Sequence, residues 1–165
     1  GWRGLAEALI ARGMTVIATG GPGDAERRYL DELWRDVGVE RRDGKLAWPA
    51  LVSLLAQARV YVGPDTSVTH LAAATGCPTV ALYGPTDPRL WGPWPVGGLQ
   101  ETWRAASQVQ SRNNVWLVQS PFPCTPCQLE GCERNLLSQS QCLMELPLNR
   151  VLSAVDQSIA ASVIP

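Results

Sequence analysis

The residues best suited to bind a ligand lie where a short apolar strand gives way to a helix, in the segment GPDTSVTH, residues 63–70. The first N–H groups of a helix lack partners within it, and its positive dipole end suits an anion such as a diphosphate. The hydroxyls of Thr66 and Ser67 would add donors, and His70, one turn in, would reach a phosphate or ribose oxygen. A simpler interpretation stays open, in which Asp65 or Thr66 is an ordinary helix cap and His70 bonds a neighbouring loop.

Four of the five cysteines are crowded into one segment, with the spacing C-x2-C-x4-C-x9-C: Cys124, Cys127, Cys132 and Cys142. Four thiolates at such positions could surround a structural zinc ion tetrahedrally. Free thiols and disulfides are the alternatives. A cytoplasmic protein keeps its thiols reduced, which favours metal binding or free thiols over disulfides.

A loop rich in proline, glycine and tryptophan, GPTDPRLWGPWP, begins at residue 84 directly after a predicted strand. We expect it to be ordered, because flexible linkers seldom contain tryptophan. Thr86 and Asp87 are interpreted as part of the rim of the same ligand pocket, and Arg89 and Trp91 could border it. In the alternative, favoured for the tryptophans, this is a proline-fixed turn in which Trp91 and Trp94 pack on the sheet edge.

Predicted helices alternate with short apolar strands along most of the chain, which indicates an α/β fold, a Rossmann-like, doubly wound and mostly parallel sheet. In such sheets ligands bind beyond the carboxyl ends of the strands. The predicted helices cover residues 5–13, 24–37, 49–57, 67–75 and 147–163, and the predicted strands 14–19, 59–63, 78–84 and 114–118.

One domain over residues 1–165 is expected, with a Cys-rich segment at 121–145 and a closing helix at 147–163. Because such domains normally begin with a strand and this pattern begins with a helix, a further strand is predicted before Gly1. Composition is 45% hydrophobic and 18% charged with net charge -1, which is typical of a soluble protein and gives no support for nucleic-acid binding. No apolar run reaches the roughly 18 residues of a transmembrane segment.

The string from Gly63 to Pro88, GPDTSVTHLAAATGCPTVALYGPTDP, resembles the signature of glycosyltransferase family 9, the heptosyltransferase family. That signature runs roughly G-x-D-T-G-x-x-H-L-A-A-A-x-G-x-P-T-V-A-L-Y/F-G-P-T-D-P. The match departs from it at Ser67, where the family usually has glycine, so the close approach of the backbone to a diphosphate is modified there.

The resemblance implies a GT-B architecture, in which two Rossmann-like domains face a cleft and the carboxyl-terminal one binds the sugar nucleotide. This chain resembles that second domain. The segment that contacts diphosphate and sugar in the family corresponds to Asp65, Thr66, Ser67, Val68 and His70. An acidic residue binds the ribose hydroxyls in the family, and the candidates for it are Asp24 and Glu26.

The reaction implied by the resemblance is an inverting transfer of heptose from ADP-heptose to lipopolysaccharide core, without a cofactor. The general base is expected in an amino-terminal domain outside this chain, as is the site for the lipid-linked saccharide acceptor. The fragment alone is then expected to bind the donor without turnover. The implied location is the cytoplasm, with peripheral association at the inner membrane.

Two alternative functions remain from the sequence. A GT-B-like sugar-nucleotide epimerase would share the fold, but it is expected to use more acidic and histidine residues than this chain, with its single histidine, supplies. A non-catalytic nucleotide- or zinc-binding module would instead have the cysteine cluster as its functional centre.

Overall fold

The chain divides into two compact units, Gly1–Leu51 and the residues from Val52 onward, which are described in turn. The structure is a computed structural model, and it describes residues 1–135 and 138–162. In those ranges, none of the helices has both the length and the apolar character of a membrane-spanning segment.

The amino-terminal unit is built from short elements: α1 (Trp2–Ala11), β1 (Ile17–Ala18), α2 (Asp24–Leu33), β2 (Glu40–Arg41) and the first residues of α3 (Trp48–Gln57). Strands β1 and β2 pair in parallel, with Ile17 opposite Glu40. Leu5 and Leu9 lie one turn apart on α1 and are both buried, because the helical period brings them to the same face.

The second unit contains a four-stranded sheet in the order β3-β4-β6-β5. Its strands and helices are β3 (Tyr61–Pro64), α4 (Ser67–Ala74), β4 (Thr79–Tyr83), α5 (Pro88–Trp91), β5 (Val109–Arg112), β6 (Val115–Gln119), α6 (Gln141–Met144) and α7 (Leu148–Ala161). Strands β3, β4 and β6 are parallel, and β5 runs antiparallel to β6.

Helices cover both faces of this sheet. Ala81 and Tyr83 of β4 share a buried cluster with Ala73 of α4, Val115, Leu117 and Trp103. Because side chains alternate along a strand, the intervening residues of β4 and β6 face the other way, where α7 packs against both strands. Strand β6 is buried at all five positions, as expected for a strand covered on both faces.

The predicted α/β fold with its mostly parallel sheet is confirmed, and each predicted helix and strand is present. Four short elements were not predicted: β2, α5, β5 and α6. The second predicted helix ends at Leu33 rather than at residue 37, because the chain turns there and Asp36 adopts a left-handed backbone with φ 61°. The single-domain assignment stays a prediction. Residues 136 and 137 of the Cys-rich segment and residue 163 of the predicted closing helix lie outside the described residues.

Candidate functional site

The amino-terminus of α4 is open toward the carboxyl end of β3. Thr66 occupies the N-cap position with an extended backbone, and its side chain makes no capping hydrogen bond. The amide of Thr69 donates to the Thr66 carbonyl at 3.0 Å. The amides of Ser67 and Val68 come before Thr69 in the chain and have no carbonyl partner within the helix. They therefore point out of the helix end, where they are available to a ligand.

The buried Thr69 connects the start of α4 to the end of β3. Thr69 is fully buried, and its hydroxyl donates to the carbonyl of Pro64 at 2.5 Å. The hydroxyl of Tyr61 lies 3.2 Å from the hydroxyl oxygen of Thr69. The last residue of β3 and the first turn of α4 are therefore joined through one side chain, which fixes where the two intervening residues lie.

Asp65 is the polar centre of the segment. Its Oδ1 lies 3.5 Å from Nε2 of His70 and 3.1 Å from the hydroxyl of Tyr83 at the end of β4. His70 lies one turn into α4, so helical geometry returns it to the side of the residues before the helix. The side chain of His70 is 41% exposed and that of Asp65 24% exposed, so both are accessible to a ligand.

Thr86 and Asp87 follow β4, and only Thr86 is partly exposed. Asp87 is 2% exposed and is the N-cap of α5, where it accepts from the Arg89 amide at 3.0 Å. Its carboxylate also accepts from the Arg89 guanidinium at 2.7 Å. These hydrogen bonds hold the pKa of Asp87 below its ordinary value. Asp87 therefore has a clear structural role, the shaping of this loop, and contact with a ligand stays a prediction.

The expectation that Trp91 and Trp94 pack on the sheet edge is wrong. They are 60% and 66% exposed, whereas Trp103 is the buried tryptophan of this region. Trp103 Nε1 donates to the Pro93 carbonyl at 3.2 Å. Trp103 packs against the backbone of Gly92 and Pro93, whereas the two other indoles face outward.

Asp24 and Glu26 lie in the first turn of α2, in the amino-terminal unit. The Asp24 carboxylate points toward Arg27, 3.7 Å away. The Glu26 carboxylate instead lies over the glycines that follow β1, since a Cβ added to Gly21 would come within 2.7 Å of its Oε2. Of the two candidates, Glu26 is the one at a strand's carboxyl end, where ligands of such folds bind.

The cysteines of the carboxyl-terminal segment are free. Cys142 is buried in α6, Cys127 is half-buried, and Cys124 and Cys132 are exposed. Burial raises the pKa of the Cys142 thiol, and the three other thiols raise it further, so each of them lies within electrostatic reach of Cys142. Thiols suit zinc chemically, but within residues 1–135 and 138–162 no three His, Cys, Asp or Glu side chains are arranged to hold a metal. The structural zinc stays a prediction.

Two residues that sequence reasoning missed complete the site, Thr69 and Tyr83. Both lie inside the segment 63–88, but nothing in the pattern distinguishes their hydroxyls from those of ordinary helix and strand residues. The parallel pairing of β4 with β3 brings the Tyr83 hydroxyl to Asp65, which lies 18 residues away in the sequence.

The sequence profile of glycosyltransferase family 9 (heptosyltransferase) matches residues 1–123. Among curated relatives, lipopolysaccharide heptosyltransferase 1 of Pseudomonas aeruginosa is 32% identical over 145 residues, 88% of this chain and 36% of that protein. Lipopolysaccharide heptosyltransferase 3 of Escherichia coli is 34% identical over 91 residues, 53% of this chain and 27% of that protein.

Solved structures share the fold. E. coli ADP-heptose lps heptosyltransferase II superposes with a TM-score of 0.71 at 20% identity over 98% of this chain and 41% of that one. The E. coli heptosyltransferase WaaC with ADP gives 0.67 at 23% identity over 95% and 38%. The chain thus spans well under half the length of these proteins, and its α/β fold is that of the carboxyl-terminal domain of GT-B glycosyltransferases. With the profile matched over most of its length, the chain belongs to glycosyltransferase family 9, the heptosyltransferase family.

Proposed function

We propose that this chain is the donor-binding half of an inverting glycosyltransferase, which transfers heptose from ADP-heptose to lipopolysaccharide core. The observation that carries the proposal is the uncapped start of α4, with Asp65 and His70 beside it at the carboxyl end of β3. Family membership supports it, as do two solved relatives described as an ADP-heptose heptosyltransferase and as a heptosyltransferase with ADP.

Each part of the donor has a proposed contact. The amides of Ser67 and Val68, with the hydroxyls of Thr66 and Ser67, bind the diphosphate, because a helix start offers N–H donors and a positive dipole end. His70 binds the phosphate next to the sugar, whereas the Asp65 carboxylate accepts hydrogen bonds from sugar hydroxyls and orients His70. Within the amino-terminal unit, Glu26 is proposed over Asp24 as the acidic residue that binds ribose hydroxyls in the family. Thr86 lies at the rim of the pocket.

The proposed chemistry of this half is electrostatic. As the acceptor hydroxyl attacks the anomeric carbon, the bond to the diphosphate breaks and negative charge grows on the leaving phosphate oxygens. Amide donors fixed at a helix start stabilise that charge without reorganisation, which lowers the barrier. The proton leaves the acceptor hydroxyl for a base outside this chain. The reaction as proposed uses no cofactor, the acceptor is a lipid-linked saccharide, and the location is the cytoplasm with peripheral contact to the inner membrane.

The role of the helix amides can be tested by deleting one of them. Ser67 is the first residue of α4, where proline is well tolerated, and Thr66 before it has φ -146° and ψ 163°, a backbone close to that favoured before proline. Ser67→Pro should therefore keep the helix and lose one donor. Ser67→Ala is the matched control, because it loses the hydroxyl and keeps the amide.

Titration calorimetry with ADP, GDP and UDP measures the outcome. We expect ADP to bind, Ser67→Pro to weaken binding by about ten- to a hundred-fold relative to Ser67→Ala, and Asp65→Ala and His70→Ala each to weaken it by about ten-fold. Ser67→Gly, which introduces the residue usual in the family, should bind at least as tightly as the parent. If no nucleotide binds, or if Ser67→Pro and Asp65→Ala bind as the parent does, the proposal is wrong.

A further inference from the structure

Tyr83 is the last residue of β4, and its side chain is fully buried, yet its hydroxyl contacts polar groups of two separate segments. It lies 3.1 Å from Oδ1 of Asp65, at the end of β3, and 2.5 Å from the carbonyl oxygen of Trp91, the last residue of α5. One side chain thus connects the loops at the carboxyl ends of two adjacent parallel strands.

The hydroxyl is a proton donor at neutral pH. Burial, together with the nearby negative charge of Asp65, raises the pKa of Tyr83 well above its ordinary value. A phenol has one proton, so the Tyr83 hydroxyl donates a bifurcated hydrogen bond to the Asp65 carboxylate and the Trp91 carbonyl, and both contacts hold the phenolic oxygen in place.

Asp65 depends on that contact for its orientation. Among the described residues its other side-chain neighbour is His70, whose Nε2 lies 3.5 Å away, the outer limit of a hydrogen bond, on an imidazole that is 41% exposed and so only loosely held. A carboxylate with two rotatable bonds and one weak partner would turn toward water. The buried, well-packed ring of Tyr83 supplies the rigid partner that keeps it beside the start of α4.

We propose that Tyr83 is a positioning residue for donor binding: through its hydroxyl it fixes the Asp65 carboxylate beside His70 and ties both to α5. This inference rests on the proposed function, since it assigns the way in which Asp65 is presented to the donor. Tyr83 itself is buried and need not touch the ligand. A phenylalanine would fill the same space and lose only the hydrogen bonds.

The test is a double-mutant cycle on ADP affinity, measured by calorimetry with the parent chain, Tyr83→Phe, Asp65→Ala and the double variant. We expect Tyr83→Phe to weaken binding by about three- to ten-fold in the parent and by less than about two-fold when Asp65 is already alanine, because coupled residues are not additive. Tyr29→Phe, a change at an exposed tyrosine of α2, is the matched control and should leave the affinity unchanged. A general loss of structure would not depend on which residue is present at position 65.

A second measurement leaves Tyr83 intact. The buried hydroxyl proton of Tyr83 should be visible by NMR, and its chemical shift should change in Asp65→Ala. The inference is overturned if Tyr83→Phe weakens binding equally in both backgrounds, if it has no effect, or if the hydroxyl shift is insensitive to Asp65. A parent chain that binds no nucleotide would refute the proposed function as well, whereas binding that depends on Asp65 but not on Tyr83 refutes this inference alone.

Discussion

The hydroxyl of Thr69 should stabilise both the second unit and the donor site, and Thr69→Val tests this. Valine has almost the same shape, so the fully buried pocket stays filled and no cavity forms. The lost group donates to the Pro64 carbonyl at 2.5 Å and lies 3.2 Å from the Tyr61 hydroxyl. A buried polar group that loses its partner costs about 1–3 kcal/mol, so we expect a loss of that size in the free energy of unfolding.

Urea unfolding followed by circular dichroism measures that loss. The midpoint should fall while the slope m is unchanged, since the surface exposed on unfolding stays the same. Thr69→Ser keeps the hydroxyl and should retain most of the lost stability, although it removes a methyl group from the core. Thr102→Val, at an exposed position, is the control for the substitution itself. If Thr69→Val is as stable as the parent, or if Thr69→Ser is the less stable of the two, the hydroxyl does not anchor this turn.

Three further predictions concern the segments that follow β4. Gly84→Ala should destabilise the chain by about 1–3 kcal/mol in urea unfolding, because such overpacking is costly and the added Cβ would lie 2.8 Å from the Cys142 sulfur; a neutral effect would show that α6 can move aside. Asp87→Asn should be less stable than the parent near pH 7, and the difference in stability should vanish at acid pH. The pKa of Asp87 in the folded chain lies below its ordinary value of 3.8. The stability that the carboxylate contributes is therefore fully present above pH 3.8 and is lost as the pH falls through the folded pKa. A pH-independent difference would refute this electrostatic account. Cys142→Ser should destabilise more than Cys124→Ser, because only the first is buried; equal large losses, with one zinc per chain found by elemental analysis, would instead establish the metal site.

The start of α4 is a feature that the local sequence pattern predicts correctly. A strand, a short polar turn and a helix can be read from residues 60–74, because hydrophobic period and capping residues act over a few positions. The free helix start and the position of His70 one turn into it follow from the same local rules. The short elements β2, α5, β5 and α6 escaped prediction, because segments of two to four residues carry too little period to be recognised.

Residue type and order therefore determined the α/β fold class, the family and the segment proposed to bind the donor, because each depends on contiguous sequence. Tertiary structure decided which side chains meet. The pairing of β3 with β4 places the Tyr83 hydroxyl beside Asp65, and Trp103 is buried while Trp91 is exposed. Such contacts join residues distant in sequence, and burial and hydrogen bonding that depend on them cannot be read from local pattern.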